Sequence, residues 1–342
     1  MSILRPATII LTLLIATLLP AQNRKELHSI GFYNLENLFD TIHDAGKNDY
    51  EFLPKGANRW NSEKYTSKIE NIAATLTALG TEQQPLGATI VGVCEVENGN
   101  VLDDLIKSPS IARKGWKYIH IESEDSRGID CALLYDPTRF TPDEKELIPY
   151  GSNRKTRGFL TVSGTIAGEQ LHIIVNHWPS RYSKSPSREA AATKIRAIKD
   201  SIIQRHPTTK VIIMGDFNDN PDNKSLKECL QAKQEITDIK TRNDLYNPYW
   251  NILRKEKQGT IVYRDRWQLY DQIIVSGRLC DKKSKGLKYM KSEIHKRPHL
   301  INNKGRYKGQ PKRTHAAGEW LNGYSDHLPV VIYLSKELKT WK

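Results

Sequence analysis

Apolar positions along the chain fall into short blocks, and most of these blocks stop abruptly on a polar residue. The clearest is residues 211–221, VIIMGDFNDNP, where Val211, Ile212, Ile213 and Met214 suit a buried strand that ends on a carboxylate and an amide. Gly215 is expected to let the backbone turn, so that Asp216 and Asn218 emerge together at the strand's C-terminal edge. That edge is where sites form in layered α/β folds. Taken alone the stretch reads equally well as a turn, since Asp and Asn dominate turns.

The remaining blocks follow the same grammar. Residues 28–34 (HSIGFYN) have strand character and run into a turn or short helix at 35–38. After a polar insertion at 40–61, Ile69, Ile72, Ala73, Leu76 and Leu79 recur at helical spacing, and Gly80 supplies the stop. Residues 88–93 predict a strand ending at Cys94 and Glu95, 101–106 a helix, and 116–122 and 129–135 two strands joined by a polar loop. Residues 158–166 and 170–175 read as a hairpin ending at Asn176 and His177. The helix at 187–205 places Ala190, Ala191, Ile195, Ile198 and Ile202 on one face. Beyond the central strand come a helix near 225–231, strands near 261–263 and 271–275, and a last strand at 330–334. Hairpins mixed with crossovers predict an α/β fold with mixed rather than purely parallel sheets. No repeat or Pro/Gly-rich linker divides the chain, so one domain is expected over 22–342.

With 38% hydrophobic and 27% charged residues, the 342-residue chain is neither disordered nor fibrous. Arg5, the apolar run at 7–19, then Pro20 and Ala21, read as a secretory signal over 1–21, because a membrane span needs about 20 apolar residues. A secreted or periplasmic location is the expectation, with no transmembrane segment in the mature chain. Cys94, Cys131, Cys229 and Cys280 lack metal-binding or CxxC spacing, and no essential disulfide is expected.

The net charge of +13 is local. Residues 278–315 carry thirteen Lys or Arg against Asp281 and Glu293, with Tyr289, Tyr307 and three His among them. Such a segment suits a polyanion, phosphates meeting cations and bases stacking on rings, or it is simply a solvated loop. Because it directly precedes residues 326–327, it is expected as a basic insertion beside the catalytic edge.

The polar residues that abut apolar blocks are Asn34, Glu95, His177, Asp216 with Asn218, Asp271, and Asp326 with His327. A buried carboxylate or imidazole needs partners to offset desolvation, and one shared sheet edge would supply them mutually. Phosphoester hydrolysis needs positive charge to balance the phosphate, a base for water and donors to the transition state. Carboxylate and amide ligands suit Mg²⁺ or Mn²⁺ rather than zinc, with Glu95 the natural metal carboxylate and His327 the natural base.

Six ordered motifs, YNLEN at Asn34, VCEVEN at Glu95, VNHWPSR at His177, GDFND at Asp216 and Asn218, YDQIIVS at Asp271 and YSDHLPV at Asp326 and His327, resemble the endonuclease/exonuclease/phosphatase superfamily over nearly all of the mature chain. The resemblance implies a four-layer α/β sandwich, two mixed β-sheets packed face to face with helices outside. It implies metal ligation by Glu95 with Asn34 and Asp326, and catalysis by His177, Asp216, Asn218, Asp271 and His327, with Asp271 orienting His327. It further implies a phosphate-contacting Arg157 and, more weakly, Arg127 as a substrate contact and Asp130 as a partner of His177. Trp178 and Trp267 are expected to pack rather than stack on bases. Taken with the leader and the basic segment before the last motif, the expected activity is that of an exported, Mg²⁺-dependent nuclease acting on DNA, or RNA, and a monomer without a stable protein partner is expected. A phosphatase of inositol phosphates or sphingomyelin-like lipids, and a non-catalytic nucleic-acid binder, are the alternatives.

Overall fold

The computed structural model describes residues 25–151 and 156–338, so the expected signal at 1–21 lies outside the described residues. In chain order the strands are β1 (Lys25–Leu38), β2 (Ile90–Val96), β3 (Lys117–His120), β4 (Asp130–Tyr135), β5 (Phe140–Ile148), β6 (Phe159–Ile166), β7 (Glu169–His177), β8 (Lys210–Asp216), β9 (Ala232–Lys233), β10 (Leu245–Tyr246), β11 (Ile261–Tyr263), β12 (Arg266–Gln268), β13 (Asp271–Ser276), β14 (Lys288–Ile294), β15 (His315–Ala316), β16 (Glu319–Trp320) and β17 (Val330–Glu337). The longer helices are α1 (Ser62–Ala78), α2 (Gly99–Lys107) and, after the single turn α3 (Pro109–Ala112), α4 (Ser185–Arg205).

One sheet has the order β14-β17-β1-β2-β4-β3 and the other β5-β6-β7-β8-β13-β10-β9. Both are mixed, with β1–β2 and β7–β8 parallel and most other pairs antiparallel. The central strands read as unbroken apolar runs because both of their faces are covered. In β8, Ile212 and Met214 face the other sheet while Val211 and Ile213 pack with α4; in β1, Ile30 and Phe32 face inward while Tyr33 and Leu35 meet α1. The result is the expected four layers, α1 and α2 on one outside and α4 on the other. The sheets approach closely at Gly92, where an added Cβ would lie 2.5 Å from Met214 Sδ.

Local signals explain the boundaries. Asn61 caps α1 by accepting from Lys64 N, and Gly80, at φ +78°, ends it as expected. Residues 35–38 do not leave β1 for a helix; the strand continues through a register shift, with Glu36 and Asn37 at φ 50° and 53°. Gly215 is not the turn residue either. It lies inside β8, where a Cβ would collide with Asn176 O, and the turn is made by Asn218 at φ 50°. The helix expected near 225–231 is one π-turn, Ser225–Cys229.

β5 escapes a sequence reading because it is an edge strand whose middle, Asp143 to Glu146, is exposed or half-exposed and polar. The basic segment is likewise more than a loop: its residues 288–294 form β14, the edge of the first sheet. Register puts Lys288 opposite Ser335 and Ile294 opposite Val330, so the segment enters at one end of the sheet and leaves at the other. Only its later part lies beside the catalytic edge. The four cysteines are free, although Cys94 and Cys131 are cross-strand neighbours. Among the described residues no helix is long and apolar enough to cross a membrane.

Candidate active site

Strand register alone assembles half of the site. His177 at the end of β7 and Asp271 at the start of β13 are both cross-strand neighbours of Asp216 at the end of β8. All three continue the inward-facing alternation of their strands. Asn34 does the same on β1, opposite Cys94.

Glu95 reaches the site by breaking the alternation. Period two would send it, with Val91 and Val93, toward the helical layer. Instead the register shifts between Cys94 and Val96, Glu95 adopts φ 61°, and Val96 takes the place in the helical layer. A bulge of this kind re-aims a side chain, and its left-handed backbone is uncommon for a residue other than glycine. Asn37 N holds Glu95 Oε2 at 2.9 Å from the neighbouring irregularity in β1.

The side chains meet across the two sheets. Asn34 Nδ2 donates to Glu95 Oε1 at 3.2 Å and to Asp216 Oδ2 at 3.1 Å. His327 Nδ1 lies 2.7 Å from Asp271 Oδ2, and its Nε2 lies 3.9 Å from both Asp216 Oδ2 and Asp326 Oδ1. His177 Nε2 is 3.6 Å from Asp216 Oδ2 and 3.8 Å from Glu95 Oε1. Asn218 donates its backbone N–H to Asp216 Oδ1 and its amide to Trp178 O. Ser325 Oγ donates to Asn34 O and accepts from His327 N, pinning the last loop onto β1. One ligand atom from each of Asp216, Asp271 and His327 lies within 4.8 Å of the others.

Burial sorts the protonation states. Burial pushes the Asp216 carboxyl up to about 7, opposed by His327 and assisted by Asp271. For His327 burial disfavours the proton, yet the surrounding Asp271, Asp216 and Asp326 hold it, and the pKa rises well above the usual imidazole value. His177 moves the other way, well below that value, through burial first and then Arg157, Arg127 and His327. The pocket thus contains one histidine disposed to carry charge and one disposed to stay neutral, a separation that suits distinct proton-handling roles.

Not every candidate lands where the motifs implied. Arg157 is buried and committed: Nη1 donates to Asp125 Oδ2 at 2.9 Å and Nε to His177 O at 3.3 Å. It reaches the centre through the His177 backbone. Asp130 does not partner His177; its carboxylate accepts from Ser123 N and sits 2.9 Å from His120 Nε2 within the first sheet. Trp178 is fully buried as expected, while Trp267 is half-buried beneath Lys296 Nζ, 4.7 Å from the ring centroid. Arg127 is half-exposed on the rim of a cleft of about 840 Å³, lined also by Tyr150, Arg157, Pro179, Ser180 and Tyr182. On the opposite flank, Asn37, Trp60, Arg313 and His315 line a smaller cavity of about 290 Å³.

Sequence reasoning missed three contributors. Asp125, which anchors Arg157, sits in a polar loop where it reads as a turn former. Glu36 and Lys68 form a buried pair at 3.7 Å beside Asp326, with Lys68 also donating to Thr314 Oγ1 and Tyr324 O. Burial, then Asp326, lifts the Glu36 carboxyl to about 7. The available signal was Lys68 itself, a charge adjoining Ile69 on the apolar face of α1.

Comparison with known proteins adds a second line. A family model described as "Endonuclease/Exonuclease/phosphatase family" matches residues 29–336. Comparison with curated protein sequences gives no match. Among solved structures, an endonuclease/exonuclease/phosphatase family protein from Bacteroides thetaiotaomicron aligns at 16% identity and TM-score 0.58, covering 92% of this chain and all of the other. The D. rerio TDP2 complexed with single-strand DNA product aligns at 14% identity and TM-score 0.55, over 90% of this chain and 98% of the other. A Bacteroides thetaiotaomicron mannosyl-6-phosphatase aligns at 16% and 0.55, over 90% and 99%. At these identities the likeness concerns the fold.

Proposed function

The chain belongs to the endonuclease/exonuclease/phosphatase family, and from that premise we propose that it is a divalent-cation-dependent phosphoesterase whose substrate is a nucleic-acid phosphodiester. The observation that carries the reading is the mutual approach of Asn34, Glu95, His177, Asp216, Asp271 and His327 across the two sheets.

The donor set fits a hard cation. Glu95 and Asp216 have only imidazoles within ion-pairing distance among the described residues, no Lys or Arg. Buried or half-buried carboxylates with that deficit of positive charge, and only oxygen donors besides imidazole, suit Mg²⁺ or Mn²⁺. Glu95 would hold it with Asp326 alongside, while Asn34 steadies the Glu95 carboxylate through Nδ2. Bound there, the cation supplies charge neutralisation and polarises a phosphate oxygen.

The chain's own residues do the rest. Asp271 fixes His327 with Nδ1 carrying the proton shared with the carboxylate, which leaves Nε2 directed at the space between Asp216 and Asp326, where the neutral form of the ring can take a proton from water. Asp216 and Asn218 orient that water and the phosphate. His177, neutral and braced through its carbonyl by Arg157, offers Nε2 as a donor to a phosphate oxygen as charge builds. Among the described residues its Nδ1 is buried without a partner, so Nε2 is the ring atom that faces the chemistry.

The 840 Å³ cleft supports a nucleic-acid substrate, being larger than one phosphate needs and offering Arg127 and a fully exposed Tyr182 beside it. The 290 Å³ cavity with Trp60 and Arg313 supports a second reading, a sugar phosphomonoester. The apolar run at 7–19 supports export of the chain.

Turnover of a single-stranded oligonucleotide, bis-p-nitrophenyl phosphate and a hexose 6-phosphate, with Mg²⁺, Mn²⁺ or chelator, tests the reading. Cleavage should require metal and vanish in Glu95→Gln. Arg127→Gln/Tyr182→Ala should raise KM for the oligonucleotide about tenfold, near the lower part of the energy of one stacked base. Preference for the hexose phosphate, with no effect of that double substitution, would replace this substrate by the second.

A further inference from the structure

The first part of the basic segment serves a different place from the catalytic edge. β8 rises from Lys210 to Asp216, so at about 3.3 Å per residue its beginning lies roughly 20 Å from the catalytic carboxylates. At that remote end two loops, 236–244 and 277–284, enclose a cavity of about 560 Å³.

The loops are fastened to one another. Gly277 N donates to Asp244 O at 2.8 Å, and Lys240 N and Thr241 N both donate to Asp244 Oδ2 at 2.8 Å. A Cβ on Gly277 would strike Thr241 O, so only glycine allows the loops this close.

The lining is cationic: Lys210, Lys240, Arg242, Arg278, Lys282 and Lys283 face a single carboxylate, Asp281. Lys210 is already paired with Glu169, and Asp281 accepts Lys283 N at 2.9 Å within its own turn. Among the described residues the other five cations form no ion pair. Arg278 donates Nη2 to Pro207 O, while its Nε–H is buried without an acceptor among the described residues. Burial and the facing Arg242 both weaken its hold on the proton. Two guanidinium groups lining one concavity, neither paired with a carboxylate among the described residues, repel each other until an anion intervenes.

We propose that this cavity is a binding site, separate from the catalytic centre, for a compact anion carrying two or more linked phosphate groups. The cations converge on one concavity from two loops instead of following a stripe, which suits a short multivalent ion over an extended polymer. Paired guanidinium forks match phosphate oxygens, and Thr241 and Ser284 add hydroxyls at the wall.

Calorimetric titration of the full chain, free of divalent metal, with inorganic tripolyphosphate tests this, with phosphate and sulfate at matched ionic strength as comparisons. Tripolyphosphate should bind one equivalent at least tenfold tighter than either. Arg242→Gln/Arg278→Gln should weaken it at least tenfold while hydrolysis of bis-p-nitrophenyl phosphate stays within twofold. Arg242→Gln/Lys282→Gln, both exposed, guards against loss of folding at Arg278 and should weaken binding in the same direction. Unchanged affinity in both variants, or binding no tighter than sulfate, overturns the site. If a single-stranded oligonucleotide or anionic phospholipid vesicles, and not tripolyphosphate, lose binding in the variants, the patch serves a polymer or a bilayer and the compact-anion site is refuted.

Discussion

Asp271→Asn removes a negative charge 2.7 Å from His327 Nδ1, at a position with no solvent exposure. The amide has two ways to sit, and both harm the base. If its oxygen faces Nδ1, its nitrogen takes the place of Oδ1, a buried atom with no partner, leaving an unsatisfied donor that costs about 1–3 kcal/mol. If its nitrogen faces Nδ1, that ring atom must become an acceptor, the proton moves to Nε2, and Nε2 can no longer take one from water. A hydrogen bond to a charged group contributes about 1.5–3 kcal/mol, so the imidazolium also loses about one to two pKa units of support. Loss of an oriented general base lowers kcat by about 10²–10⁴, roughly 3–5 kcal/mol of barrier. The assay is kcat for bis-p-nitrophenyl phosphate against pH with saturating Mg²⁺ or Mn²⁺, beside thermal unfolding of the same samples. A folded variant whose kcat stays within about threefold of the parent across the pH range would refute the assignment of His327 as a base held by Asp271.

Two further outcomes follow from the same geometry. Arg157→Ala should lower unfolding free energy by about 3–5 kcal/mol in denaturant titration, because it strands the buried Asp125 carboxylate; unchanged stability with a raised KM would instead make Arg157 a substrate contact. Binding of the cation should expel protons, since without it Asp216 titrates near 7 and His327 above its usual range. Both folded values are raised, so Asp216 gives up its proton around pH 7 and His327 holds its proton above the usual imidazole range, and apparent cation affinity should climb with pH from about 6 to 8. Calorimetry in two buffers of different ionisation enthalpy reads the released protons, and zero release would contradict the raised values.

What the sequence disclosed and what it hid have separate physical causes. Asn34, His177, Asp216 and Asp271 were legible because each is a polar residue directly abutting an apolar run, and alternation carries them inward once the strands pair. Glu95 was legible by type but not by direction, because its approach depends on a bulge that no periodicity encodes. The burial of Arg157 was hidden since its partner, Asp125, lies 32 residues away in a loop of turn formers. Asp130 was misassigned for a related reason: it opens β4 of the first sheet, where His120 on the neighbouring strand β3 reaches it, whereas His177 ends a strand of the second. β5 and β14 were missed because edge strands need little apolar patterning, and a row of Lys, Glu and Asp on an edge looks like solvated loop.

The placement of Asn34 and Glu95 on one sheet and of His177, Asp216 and Asp271 on the other makes catalytic competence a gauge of how two slabs are seated. Each slab keeps its own ladder of backbone bonds, while their mutual alignment depends on interlocking side chains such as Met214 against Gly92. A slip of about one ångström between slabs would part Asn34 from Asp216 while every ladder stayed whole, and misplacement of that size can cost about a hundredfold in rate. Warming or a bulky intrusion at the seam should therefore silence the enzyme while its circular dichroism still looks native.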